Sequence, residues 1–239
     1  MRKKLFFYEN NIEKNKPFDI LIQPIDQHDL EVLDSQFQLI QKDAEKVSFL
    51  LVAFLIEDWN KELSPWKAPA VFGKESFGGG AGETLRYIEN TLLPEIDHCY
   101  PGAEINRIFL GGYSLAGLFA LWAAHQTALF YGIAAVSPSV WFPGWETYMR
   151  EHSVCAEKVY LSLGNKEEKT KNKVMAKVGE NIRCQYELLL KAKGQTACIL
   201  EWNEGNHFVN SDVRIAKGFG WLLSFVMSGT AGRTENSGR

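Results

Sequence analysis

Apolar and polar positions along this chain switch between two periods. Residues 18–24 and 47–56 are short apolar stretches, and residues 28–42 carry Leu30, Leu33, Phe37 and Ile40 at helical spacing. A continuous apolar run suits a strand buried on both faces, whereas a three-to-four-residue recurrence suits an amphipathic helix. Residues 83–98 put Leu85, Ile88, Leu92 and Ile96 on one helical side. Further on, strand 105–111 precedes helix 115–125, and strand 133–137 precedes a short helical piece at 145–151. Strand 158–164 precedes helix 173–191, and strand 196–202 precedes a closing helix at 212–227. Strands joined by crossover helices predict an α/β chain: a mostly parallel sheet of about six strands with helices on both faces. Residues 1–228 read as one such domain, and 229–239 as a Gly- and Ser-bearing C-terminal tail. Sheets of this kind place their sites at the carboxyl ends of strands.

Composition narrows the classes. A length of 239 residues suits a single α/β domain, and a 46% hydrophobic content is enough for a core, which excludes wholesale disorder. A net charge of −3 offers no broad surface for neutralising phosphates, so no nucleic-acid partner is expected. The longest apolar run, 49–56, falls far short of the roughly 20 residues that span a bilayer, and no membrane partner is expected. The basic start Met1-Arg2-Lys3-Lys4 leads into Leu5-Phe6-Phe7, but Tyr8-Glu9-Asn10-Asn11 cuts the apolar stretch before a signal core can form. Cys99, Cys155, Cys184 and Cys198 form no C-x-x-C pair and no zinc spacing with a histidine. They read as free thiols in a reducing cytoplasm.

The chemistry is sharpest after strand 105–111. Gly112-Tyr113-Ser114-Leu115-Ala116-Gly117 is followed by an apolar helix. Strand, tight turn and helix with a serine at the apex make a nucleophile elbow. Residues two before and two after the serine must be small, and Gly112 and Ala116 are. A dinucleotide fingerprint shares the frame, but its middle glycine is replaced by the serine, and residues 133–139 lack the acid such a site needs.

A serine hydroxyl needs a base to take its proton. Of His28, His98, His125, His152 and His207, only His207 lies on a strand-exit loop in the last third of the chain. Serine, acid, histidine is the chain order of elbow hydrolases on α/β sheets. The acid belongs on the intervening loop, Asn165-Lys166-Glu167-Glu168-Lys169, where Glu167 and Glu168 are both candidates. Asp212 is an outside option that suits a helix cap better.

The chain resembles α/β-hydrolases of the putative-esterase group, which takes in enterochelin-type siderophore esterases, feruloyl esterases and esterase D-like enzymes. The resemblance runs over residues 47–225 and is carried by Gly-Tyr-Ser-Leu-Ala-Gly at 112–117, Gly-Asn-Lys-Glu at 164–167 and Gly-Asn-His-Phe at 205–208. It implies a compact α/β-hydrolase fold, with the first strands of larger members shortened. It also favours Glu167 as the acid, three residues past the strand's closing glycine.

One oxyanion donor is the backbone N–H of Leu115. The second is expected from the loop after strand 47–56, at Trp59, with Asp58 as its neighbour. The same long connection runs to Gly78-Gly79-Gly80, but without the Lys-Ser/Thr pair of a phosphate loop. Trp66, Tyr113 and Trp141 are candidate substrate-binding residues, an aromatic wall for an acyl or aryl group. Residues 137–158 are too few to hold a helical lid. The expectation is a cytoplasmic serine esterase acting on a small soluble ester, without metal or cofactor. Acyl transfer at the same site, and a non-catalytic binding module on a hydrolase scaffold, are the alternatives. Oligomeric state is not legible.

Overall fold

The computed structural model describes residues 3–229. Residues 1–2 and 230–239 lie outside the described residues, and with them nearly all of the expected tail. Seven strands form one sheet: β1 Leu5–Asn10, β2 Phe18–Ile25, β3 Phe49–Leu55, β6 Ile105–Tyr113, β7 Gly132–Val136, β8 Lys158–Gly164 and β9 Cys198–Asn203. Their spatial order is β1-β3-β2-β6-β7-β8-β9. Two short strands, β4 Lys67–Ala68 and β5 Phe77–Gly78, pair separately. The helices are α1 Gln27–Asp43, α2 Trp59–Leu63, α3 Ala81–Tyr87, α4 Leu93–Cys99, α5 Leu115–Gln126, α6 Trp145–Glu151, α7 Val178–Lys193 and α8 Ser211–Gly229.

The sheet has seven strands where the apolar pattern predicts about six. The added one is β1, which pairs antiparallel with β3 at the sheet's edge. Its side chains alternate between half-buried and exposed, and Phe7 faces outward. An edge strand covered on one side lacks the continuous apolar signature of the interior strands, and its basic flank looks like a leader. The expected helix over 83–98 is also interrupted. A π-helical turn at Ile88–Leu92 separates α3 from α4, and Pro94 stands at the start of α4. Proline offers no N–H to the helical ladder, so the turn before it is free to widen.

Strand β3 shows how the layers are built. Phe49, Leu51 and Ala53 face a core shared with α1 and α8, whereas Leu50, Val52 and Phe54 face a core shared with α3, α4, α5 and α7. Period-two alternation with both faces apolar is what a doubly covered strand requires. The six strands after β1 run parallel, so their carboxyl ends share one edge of the sheet. No described helix is long and apolar enough to cross a membrane.

Candidate active site

Ser114, Glu167 and His207 each lie just past a parallel strand. Strand β6 ends at Tyr113, and Ser114 turns with φ 58° and ψ −120°, a left-handed conformation, before α5 begins at Leu115. The turn depends on a missing side chain. A Cβ on Gly112 would lie 2.6 Å from the Ala116 Cβ and 2.7 Å from its carbonyl carbon. Gly117 lets α5 approach the strands, because a Cβ there would stand 3.0 Å from the carbonyl oxygens of Gly112 and Val136. Gly112→Ala is therefore expected to cost about 1–3 kcal/mol by overpacking, a Tm loss of roughly 2–4 °C for each kcal/mol. Gly82→Ala, where the new Cβ meets nothing nearer than 3.7 Å, should leave the melting curve in place or raise it.

Ser114 Oγ lies 3.0 Å from His207 Nε2, and His207 Nδ1 lies 2.7 Å from Glu167 Oε2. An ionised carboxylate only accepts hydrogen bonds, so Nδ1 carries the ring proton and Nε2 is left bare to accept from the serine hydroxyl. The other oxygen of Glu167, Oε1, accepts from the Gly164 N–H at 2.8 Å, from Ser137 Oγ at 2.7 Å and from Arg214 Nη1 at 3.1 Å. Burial pulls the Glu167 pKa upward. Its hydrogen bond to His207 and that group's charge, then the bonds from Ser137 and Gly164, outweigh burial and hold the carboxyl below its ordinary value. Glu168 points elsewhere: its carboxylate takes a forked pair of bonds from Arg183 at 2.9 and 3.1 Å. Asp212 accepts from Ser35 Oγ at 2.9 Å, joining α8 to α1.

The two expected oxyanion donors are first residues of helices, where a backbone N–H has no acceptor within its own helix. Leu115 opens α5 and Trp59 opens α2. The Asp58 N–H is already given to Glu62 Oε1 at 3.0 Å, which leaves Trp59 as the free neighbour. Trp59 and Ser114 line one cleft of about 170 Å³ together with Tyr113, His207 and the carboxylates Asp26 and Asp29. Burial, with the Asp26 charge second, pushes Asp29 up to about 6. A second cleft of about 390 Å³ is also bordered by His207, and is lined by Trp141, Met175 and Val178 with Lys166 and Lys169. The exposed Phe208 ring borders both.

The three aromatics expected to bind substrate have different places. Trp141 lines the second cleft, backed by the rings of Phe72 and Phe77. The Tyr113 ring lines the first cleft, but its hydroxyl is engaged: it donates to the His207 carbonyl at 2.7 Å and accepts from Arg214 at 3.0 Å. Trp66 lines neither cleft. It packs among Phe142, Trp145 and Tyr148 and gives its Nε1–H to the Pro143 carbonyl at 2.9 Å, a packing role for its indole.

A family model described as "Putative esterase" matches residues 28–210, a span that contains Ser114, Glu167 and His207. The chain belongs to the putative esterase family. As a member of that family it is a hydrolase of ester bonds. Comparison with curated protein sequences finds no match. Among solved structures, the siderophore hydrolase EstA from Aspergillus nidulans is similar, with a TM-score of 0.70 at 16% identity over 95% of each chain. An IroE-like serine hydrolase from Shewanella oneidensis gives 0.76 at 17% identity, covering 93% of this chain and 76% of that one. The enterobactin esterase FES from Shigella flexneri gives 0.65 at 14% identity, covering 94% and 56%. At such identities the likeness is one of fold.

Within this putative esterase, three further residues surround the site without any local motif to announce them. Ser137, at the exit of β7 with φ 44°, donates to Glu167. Ser139, two residues on and buried, sets its Oγ 3.4 Å from that of Ser114. Arg214, on α8, reaches Glu167. A hydroxyl just past a strand is a usable signal for the two serines; the arginine, inside a long helix, carries none. Among the described residues no group of three His, Cys, Asp or Glu side chains is disposed to hold a metal ion.

Proposed function

We propose that the chain is a serine hydrolase that cleaves small carboxylic esters through an acyl-enzyme on Ser114. The observation that carries this reading is the unbroken hydrogen-bonded series from Ser114 Oγ through the His207 ring to Glu167, at 3.0 and 2.7 Å. His207 Nε2 takes the hydroxyl proton as Oγ attacks the ester carbonyl, and Glu167 steadies the imidazolium that results. The tetrahedral oxygen takes its charge against the N–H groups of Leu115 and Trp59. Removing one such donor costs about 10²–10³ in rate. As the intermediate collapses, the imidazolium gives its proton to the departing alkoxide oxygen and the alcohol leaves. Water, deprotonated by the same nitrogen, then releases the acid.

The open clefts favour a substrate that reaches the serine from solvent. Three of the similar folds are named for siderophore or enterobactin hydrolysis, so siderophore esters belong in the substrate panel beside simple acyl and feruloyl esters. Four unpaired cysteines support action in a reducing compartment, which we take to be the cytoplasm. Incubation with a fluorophosphonate probe tests the chemistry. A single adduct by intact mass, mapped to Ser114 and missing from Ser114→Ala, is the expected result. A folded protein that turns over p-nitrophenyl acetate but takes no label at Ser114 would refute the serine reading. Adding alcohol or thiol acceptors and analysing the products separates hydrolysis from acyl transfer.

A further inference from the structure

Arg214 is 2% exposed, yet both terminal nitrogens of its guanidinium are engaged. Nη1 donates to Tyr113 Oη at 3.0 Å, to Glu167 Oε1 at 3.1 Å and to Ser137 Oγ at 3.3 Å. Nη2 donates to the carbonyls of Glu204 at 2.8 Å and Asn206 at 3.0 Å. One side chain on α8 thus ties together the end of β6, the exit of β7, the loop after β8 and the loop after β9. Stability alone does not call for a cation here, since a buried ion pair is often matched or surpassed by apolar residues of equal volume. A planar fork does two things that a hydrocarbon cannot. It supplies positive charge beside the carboxylate that faces the imidazole. It also holds two carbonyls just before His207 in sequence, those of Glu204 and Asn206.

We propose that Arg214 is a positioning residue for the hydrolytic step: it fixes Glu167 in one ionised orientation and seats the loop that presents His207 to Ser114. The inference rests on the reading of Ser114, His207 and Glu167 as the reacting set. With Oε1 occupied by the donors from Gly164, Ser137 and Arg214, only Oε2 remains to meet the ring, so the imidazole has one seat and one tautomer. Tyr113 closes the frame, accepting from Arg214 and donating to the His207 carbonyl.

The charge gives a distinctive readout. The groups facing the His207 ring are Glu167, Lys166 and Lys169 from the loop after β8, Arg214 from α8 and Tyr113 from β6. Across the first cleft stand Asp26, His28 and Asp29 at the start of α1. Among the described residues only Arg214 places a buried cation on the carboxylate bonded to that ring. Taking this positive charge away makes the imidazole hold its proton more tightly. The neutral base then appears only at higher pH.

The test is the pH profile of kcat/KM for p-nitrophenyl acetate with the full chain, read for the wild type, Arg214→Met and Arg214→Lys. In Arg214→Met, kcat should fall about 100-fold, KM should stay within about threefold, and the acidic limb should move up by about one pH unit. Arg214→Lys keeps the charge and loses the fork, so its limb should stay near the wild-type position while kcat falls about tenfold. A folded Arg214→Met whose limb does not move, or whose loss lies wholly in KM, overturns the proposal.

Should Arg214→Met not fold, the neutral pair Glu167→Gln/Arg214→Met replaces it. Against Glu167→Gln alone, removing the arginine should cost about tenfold, well short of the roughly 100-fold expected beside the intact carboxylate, because the part of its action that runs through Glu167 is already lost. A full further loss in that background overturns the proposal. Fluorophosphonate labelling keeps the failures apart. No adduct at Ser114 in the wild type sinks the serine reading itself. Normal labelling, with arginine variants that leave the limb in place, sinks only the role of Arg214.

Discussion

Replacing Ser114 by alanine is expected to lower kcat about 10⁶-fold, the loss that follows removal of the nucleophile from a comparable serine–histidine–acid set. The fold should be almost indifferent. Alanine keeps the Cβ, fits beside Gly112 and Ala116, and removes only the hydroxyl that faces His207. Glycine at the same position separates the chemistry from the backbone. The serine holds φ 58° and ψ −120°, where a Cβ is crowded, and such strain costs about 1–3 kcal/mol. Glycine relieves it and gives back about 0.5–1 kcal/mol through the freedom of the unfolded chain. A net gain of about 1 kcal/mol would raise Tm by roughly 2–4 °C. Ser114→Gly should therefore be more stable than wild type and as inactive as Ser114→Ala. The double variant Ser114→Ala/His207→Ala should be no slower than either single one. Esterase activity above about one per cent in Ser114→Ala would put the nucleophile elsewhere. A Ser114→Gly protein that melts below wild type would show that the elbow is not strained.

What could be read beforehand, and what could not, divides by range. Strand β8 and helix α6 match the expected 158–164 and 145–151 because each is bounded by residues that act locally: a closing glycine, a left-handed Gly144 before the helix. The interior strands announce themselves by apolar runs, since both of their faces are covered. Strand β1 does not, because its pairing with β3 is made 39 residues or more away and one of its faces meets water. The elbow is legible for the same reason as the strands. Gly112, Ser114 and Ala116 constrain one another within a single turn. Glu167 and His207 each sit at a strand exit, which marks them as candidates, but no pattern in the chain says that their side chains meet. That is decided by the sheet order, which sets β8 between β7 and β9 and aligns Gly164 with Asn203. Arg214 is the extreme case. It is 47 residues from Glu167 and 101 from Tyr113, and in sequence it is a cation inside an amphipathic helix. Trp66 shows the opposite case. Its position in a long strand-exit loop suggests a ligand wall, whereas Trp145 and Phe142 offer it a packing partner on the neighbouring loop.

Glu167→Gln carries the second large effect, and the donors around the carboxylate dictate its direction. Oε1 receives three hydrogen bonds, from Gly164 N, Ser137 Oγ and Arg214 Nη1. In the glutamine only the amide oxygen can accept them, so it must take that position and the NH₂ must turn toward His207. The ring can then satisfy the amide only by presenting a bare Nδ1, which moves its proton to Nε2, the atom that faces Ser114. A protonated Nε2 cannot take the serine proton. The expected loss in kcat is about 10⁴-fold, the cost of the wrong tautomer in serine hydrolysis, with KM little changed. Stability should fall too, because Arg214 is left buried beside a neutral partner. Breaking such a pair costs about 3–5 kcal/mol. The sign of the pH dependence follows from the same pair. The folded pKa of Glu167 lies below its ordinary 4.5, so the ionised carboxylate stabilises the fold above that value, and this contribution is lost as the pH falls through the lower, folded pKa. Wild type should therefore lose its Tm advantage over Glu167→Gln as the solution is acidified below the ordinary carboxyl value of 4.5 and through the lower, folded one. A variant that keeps more than a tenth of the wild-type kcat would remove Glu167 from the reaction, and an advantage that persists undiminished into acid would show that the carboxylate is not held ionised.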